Sequence, residues 1–183
     1  MTETQSLKAI SGRATGVLFF AGFGSLWLGT GLAAMHKFNF VTGVLVGVVL
    51  GSLVIPAILL LKRIPETSTD GAESDDKISK TFNRVNIIQW VGVAIAVMLL
   101  NMFHKGEYIV PAIATIVGLH LFPLAKLFRY PAHYVTGALL VLWSAGTVIL
   151  LAKERIASIG ALGTAVILLA SAAYTLVTAQ KAA

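Results

Sequence analysis

Gly118-Leu119-His120-Leu121-Phe122-Pro123-Leu124-Ala125-Lys126-Leu127-Phe128-Arg129 carries an apolar run of membrane length into charge. The uncharged window to which it belongs, residues 108–125, approaches the ~20 residues that a helix needs to cross a ~30 Å hydrocarbon core. Yet it holds a helix-bending proline, Pro123, with His120 three residues before it and Lys126 three residues after it. Proline inside a helix frees a backbone carbonyl, and an imidazole at membrane depth costs free energy unless it is paired. The stretch therefore predicts a transmembrane helix and marks the place where polar chemistry enters it.

The rest of the chain repeats the apolar pattern. Of 183 residues, 57% are hydrophobic and 12% charged, about half the charge of an ordinary soluble domain, and mean hydropathy is +0.85. Uncharged windows fall at residues 14–35, 38–61, 85–103, 108–125, 134–152 and 156–179, each close to the length of a membrane span. Little polar sequence remains for a soluble domain. Residues 1–183 accordingly read as one integral membrane domain, an all-α, six-transmembrane-helix bundle built from three helical hairpins. The first window is longer than the apolar core of a signal peptide and its flank mixes Glu3 with Lys8 and Arg13, so it reads as a retained span.

The net charge of +6 is spread between the apolar runs without a basic face or an RNA-binding motif, which argues against nucleic acid as a partner. With six spans, one side collects Lys8, Arg13, Lys62, Arg63, Lys77, Lys80, Arg84, Lys126, Arg129 and Lys181, while the other holds Lys37, Lys105, Lys153 and Arg155. The positive-inside rule then puts both termini in the cytoplasm. The partner that composition demands is the lipid bilayer. The absence of cysteine excludes disulfides, thiolate metal sites and thiol redox chemistry.

Small residues mark the first hairpin. Ala21, Ser25, Gly29 and Ala33 recur at four-residue spacing in the first span, and Gly43, Gly47 and Gly51 in the second; such stripes let helix backbones approach closely. The expectation is a tightly packed hairpin, or a homo-oligomer face on one stripe. Pro56 adds a second kink whose freed carbonyl needs a partner inside protein. The first dozen residues predict a frayed tail or an interfacial turn. Residues 62–84 form the one long polar connection, on the cytoplasmic side, and within it residues 64–81 predict a solvated loop without the spacing of a calcium-binding hand. Similar units flank that loop. Gly51 and Pro56 share their offset with Gly118 and Pro123, each pair follows a His-Lys turn (His36-Lys37, His104-Lys105), and each precedes basic residues and another proline, Pro65 or Pro131. This reads as an internal hairpin repeat of parallel sense, because two spans restore the original orientation.

Polar residues gather around the fourth span. Asn86 and Gln89, three residues apart, share a helix face. At a rise of ~1.5 Å per residue, Gln89 and His120 lie at similar depth, some ~20 Å from the turn joining spans three and four, and can meet. Asn86 falls nearer Pro123 and Lys126, and Arg129, Tyr130 and His133 enter close to the same surface. These seven form the ligand-binding set expected from sequence, a cytoplasm-facing recess suited to a small anionic or polar solute. The competing reading is interhelical glue, worth ~0.6 kcal/mol for an average polar pair, with Lys126 snorkelling to the headgroups. Pro123 weighs toward a recess, since a kink opens space and frees a carbonyl.

Through the Gly-x-His-x-x-Pro run at Gly118, His120 and Pro123 and the following Tyr130-Pro131, residues 118–140 resemble a set of small bacterial integral membrane proteins with no established activity. The resemblance implies a bacterial cytoplasmic (inner) membrane and nothing about chemistry. Enzyme chemistries find no footing in the residues. Haem would need histidines on facing spans and only His120 lies deep; a zinc site lacks a histidine-carboxylate set; acids lie in loops and turns, which leaves no Ser-His-Asp arrangement; and no glycine-rich phosphate loop occurs. No catalytic residue, metal or cofactor is expected, nor is the buried acid typical of a proton-coupled carrier present. Trp143 reads as a packing residue and Tyr174 as part of an aromatic belt. Two classes of function remain: a small-solute transporter or channel-like protein, and a non-transporting scaffold or accessory subunit acting through helix–helix association.

Overall fold

In hydrocarbon a backbone has no water to bond, so apolar segments of this length satisfy their amides within helices. A computed structural model, which describes residues 3–63 and 72–182, contains α1 (Glu3–Ala34), α2 (Phe40–Arg63), α3 (Ala72–Met102), α4 (Ile109–Leu127), α5 (Ala132–Leu150) and α6 (Lys153–Gln180), with a 3-10 turn at Gly106–Tyr108. All six helices contain a segment long and apolar enough to cross a membrane. The chain is a multi-pass membrane protein with six α-helices among the described residues; α1 lies against α2 and α3 against α4, and α5 is joined to α6 by a Trp143 Nε1–H bond to the Gly160 carbonyl at 3.1 Å.

Two helices run past the limits read from hydropathy. α1 begins at Glu3, in place of the frayed tail or interfacial turn expected there, because Ile10 and Ala14 pack into a buried cluster with Leu60 of α2 and Ala179 of α6; tertiary burial holds a turn that polarity alone would let fray. α3 begins at Ala72, so much of the connection expected as loop is helix. In sequence, Glu73 and Asp76 each precede a lysine by four residues, a spacing that supports a helix without burial. The part of the expected loop at residues 64–71, including Pro65, lies outside the described residues.

Three helices end in the same way. His36, His104 and Arg129 adopt positive φ of 56°, 53° and 50°, and the next residue's N–H reaches back five positions: Lys37 to Leu32 O at 2.9 Å, Lys105 to Leu100 O at 2.7 Å and Tyr130 to Ala125 O at 3.0 Å. These are Schellman caps built without glycine, each setting basic side chains where the helix dipole is negative. The His-Lys turns proposed as repeat markers thus share one backbone conformation. Their sequels differ: α2 starts from a reciprocal cap, Thr42 N–H to Asn39 Oδ1 at 3.0 Å and Asn39 N–H to Thr42 Oγ1 at 2.8 Å, whereas α4 starts from the 3-10 turn.

The helices group into two compact units. One comprises α1, α2 and α6 from Ala165 onward; the other comprises α3, α4, α5 and α6 up to Thr164. In the first, the inward stripe of α1 includes Ala21 and Ser25 and meets α6: a Cβ on Gly24 would lie 2.8 Å from Leu169 Cγ and 3.2 Å from its backbone nitrogen. The expected meeting of the two small-residue stripes does not occur. Among the described residues a Cβ on Gly47 would meet nothing within 4 Å and one on Gly51 only Ile55 of its own helix, while Gly29 and Gly43 both border the ring of Phe38 in the turn. Helical phase explains it. The buried residues of α2 are Ala57 and Leu60, and at ~100° per residue Gly47 is turned ~80° from the first and ~140° from the second.

In the second unit glycines do create backbone contact. A Cβ on Gly118 of α4 would lie 2.8 Å from the Gly137 carbonyl oxygen of α5, and one on Gly137 2.6 Å from the Gly118 oxygen. Gly163 of α6 leaves room for the Trp143 ring, which occupies the place its side chain would take, so Trp143 is a packing residue as its depth implied. Buried hydroxyls on α5 return to their own helix, with Thr136 donating to Ala132 O at 3.1 Å, Ser144 to Leu140 O at 2.7 Å and Thr147 to Ser144 O at 2.8 Å. For Ser144 and Thr147 these are local side-chain-to-backbone bonds.

Candidate functional site

The Gly118–Gly137 contact sets the geometry of the polar cluster. His120 follows Gly118 by two residues on α4 and His133 precedes Gly137 by four on α5, so both imidazoles fall on the same side of the crossing, within about one helical turn of it. They are near enough to interact electrostatically. The His120 ring hydrogen-bonds the Val85 backbone on α3. Since helical N–H groups are already spent on the ladder, the acceptor is the Val85 carbonyl, through its second lone pair. The other ring nitrogen, Nδ1, is buried without a hydrogen-bond partner among the described residues. With Nε2 donating, a neutral imidazole presents Nδ1 as an acceptor. Three helices therefore converge on one anchored imidazole whose free valence is a lone pair.

Aromatic rings close the end of the unit. Tyr130 meets His133 edge-on, centroids 5.0 Å apart at 88°. Phe82 of α3 lies 5.9 Å from Phe128, and Phe122 6.1 Å from Tyr134. The αL conformation of Arg129 makes this possible: it reverses the chain directly after α4 and returns Tyr130 and His133 toward the helix that carries His120.

The residues expected from sequence are only partly gathered. His120, His133 and Tyr130 come together. Asn86 and Gln89 are half-buried on α3, but among the described residues neither amide makes a hydrogen bond, and His120 takes the Val85 carbonyl, one turn from Gln89, in place of the expected amide. Lys126 and Arg129 are exposed and have no ion-pair partner among the described residues. Pro123 is exposed too, in a helix that continues through it to Leu127. No group of three His, Asp or Glu side chains among the described residues could hold a metal ion.

With this arrangement in view, a family model described as a family of unknown function (DUF7010) matches residues 3–177. The chain belongs to the DUF7010 family. No curated protein and no solved structure matches it. The DUF7010 match runs from the start of α1 almost to the end of α6, so it takes in both units and the histidine pair, and it leaves the chemistry to be argued from the side chains. Two features of the site escaped the sequence. The Val85 carbonyl carries no residue signature, and the Tyr130–His133 contact depends on a positive φ at an arginine, which composition does not announce.

Proposed function

We propose that this chain is a non-enzymatic membrane protein of the small-solute transporter or channel-like class, and that its solute is a polar, hydrogen-bond-donating molecule or a proton that meets the His120–His133 pair. The observation that carries this is the buried, unpartnered Nδ1 of His120. An unmet acceptor away from water costs ~1–3 kcal/mol, and native structures keep such groups where water, an ion or a solute completes them. Lys126 and Arg129, which favoured an anion in the sequence, lie exposed and lend the pair no positive wall, so the polar alternative is the better supported. The orientation with both termini in the cytoplasm, and residence in a bacterial inner membrane, belong to the same proposal and rest on the basic residues and the resemblance.

The test is thermal stability of the purified protein against a panel of small amines, amides, alcohols and anions, for wild type, His120→Ala and the volume-keeping His120→Phe, followed by flux into proteoliposomes. A donor-bearing solute that stabilises wild type and neither variant, with flux lost in both, is the expected result. A large loss of stability in both variants with no solute effect on wild type would make His120 closed glue and overturn the proposal.

The second reading, association through helices, is favoured by one observation on α2. Val44, Gly47, Val48, Gly51, Ser52 and Ile55 line an outward groove of about 610 Å³, on the face where Gly47 and Gly51 meet no other helix among the described residues, and such a groove admits another helix backbone. Because the chain has no cysteine, disulfide trapping of Gly47→Cys in membranes reads this directly. A crosslinked dimer supports association; its absence under oxidation, with an accessible thiol, removes it.

A further inference from the structure

Where the helix ends of the first unit gather, a different recess opens, unrelated to the histidine pair. It measures about 450 Å³ and lies between the start of α1, the end of α2 and the end of α6, lined by Leu7, Ile10, Leu59, Leu60, Arg63 and Gln180, with Pro56 at its edge. Ile10 and Leu60 give it a buried apolar floor, only 2% and 7% exposed. Its polar groups stand at one end. Arg63 and Gln180 close two of the candidate membrane spans, Phe40–Arg63 and Lys153–Gln180, and both are exposed. Lys62 precedes Arg63, and among the described residues no carboxylate lines the recess and Arg63 has no ion-pair partner.

A guanidinium with no counterion among the described residues, at the level where a span leaves hydrocarbon and above an apolar trough, is complementary to an amphiphile with an anionic head. Arginine matches a phosphate through two parallel N–H bonds, and the trough suits an acyl chain. Basic pockets between helices at a membrane surface hold anionic headgroups by this combination. The two helix C-termini nearby carry partial negative charge, so the phosphate is held by the Arg63 side chain reaching away from the helix end, with the Gln180 amide as a second donor. We infer that this recess is a site for one anionic phospholipid, its phosphate on Arg63 and Gln180 and part of its chain along Ile10, Leu59 and Leu60.

The experiment is native mass spectrometry of delipidated protein in detergent, offered equal amounts of phosphatidylglycerol and phosphatidylcholine of the same chains, with sn-glycerol 1-phosphate as the headgroup-only arm. Wild type is expected to retain the anionic lipid about fivefold over the zwitterionic one, the ratio that one arginine near a membrane surface contributes. Arg63→Gln brings that ratio to parity, whereas Lys153→Gln, at the other end of α6, leaves it unchanged. Leu59→Trp, which places a ring in the trough at an exposed position, lowers retention of both lipids without changing charge. Circular dichroism and melting in the same detergent confirm that each variant is folded. The inference is overturned if wild type shows no anionic preference, if Arg63→Gln keeps it, if Lys153→Gln abolishes it equally, or if the headgroup alone binds as well as the lipid.

Discussion

Replacing Gly137 by alanine tests the α4–α5 crossing on which the histidine pair depends. The new methyl would stand 2.6 Å from the Gly118 carbonyl oxygen and 3.3 Å from Leu121 Cβ. Carbon–oxygen contacts in helix interfaces settle near ~3.3–3.6 Å, so the helices must part by about 0.7 Å where they touch. Overpacking costs ~1–3 kcal/mol, and because the obstacle is backbone, with no rotamer to change, the upper half of that range applies. Alanine recovers ~1 kcal/mol through helix propensity, which leaves a net loss of about 1–2 kcal/mol. Gly47→Ala is the matched control. It gains the same propensity and meets nothing within 4 Å, so it is neutral or stabilising by up to ~1 kcal/mol. Reversible unfolding in mixed micelles reads both, with opposite signs expected. The double variant Gly118→Ala/Gly137→Ala should fall short of additivity, since both changes open one contact. Equal stability of Gly137→Ala and wild type, or equal damage from Gly47→Ala, would refute the close crossing.

Gly163→Ala collides with the Trp143 ring, which is also tied to Gly160 O; a loss of ~2 kcal/mol or more is expected, largely restored by adding Trp143→Leu, with unfolding in the same micelles as the readout. Arg129→Gly removes the cost of φ 50°, ~1–2 kcal/mol for a side-chain-bearing residue, less a few tenths for the cation lost at a helix C-terminus, so the variant should melt higher than wild type. Residues 78–84 lie within α3 and not in a loop, and their amides should exchange with solvent at least ~10-fold slower than unstructured chain, as deuterium uptake would show.

The number of helices and their membrane character were legible in the sequence, because each span must bury its amides and shed its charges by itself, and that requirement is written locally in runs of some twenty apolar residues. His120 and His133 stood out for the same reason, being ionisable groups within or beside such runs. The direction each face points was not legible. Gly43, Gly47 and Gly51 look like a packing stripe in any sequence, yet the phase set by Ala57 and Leu60 turns Gly47 and Gly51 outward, while Gly118 and Gly137, nineteen positions apart and in no stripe, make the backbone contact. Likewise the partner of His120 is a carbonyl, common to every residue, and the nearness of Tyr130 and His133 depends on an arginine forced to positive φ. Burial and hydrogen-bond satisfaction are properties of pairs of surfaces, so what one helix is could be read from its own residues, and what it touches was decided only when the helices within each unit were packed.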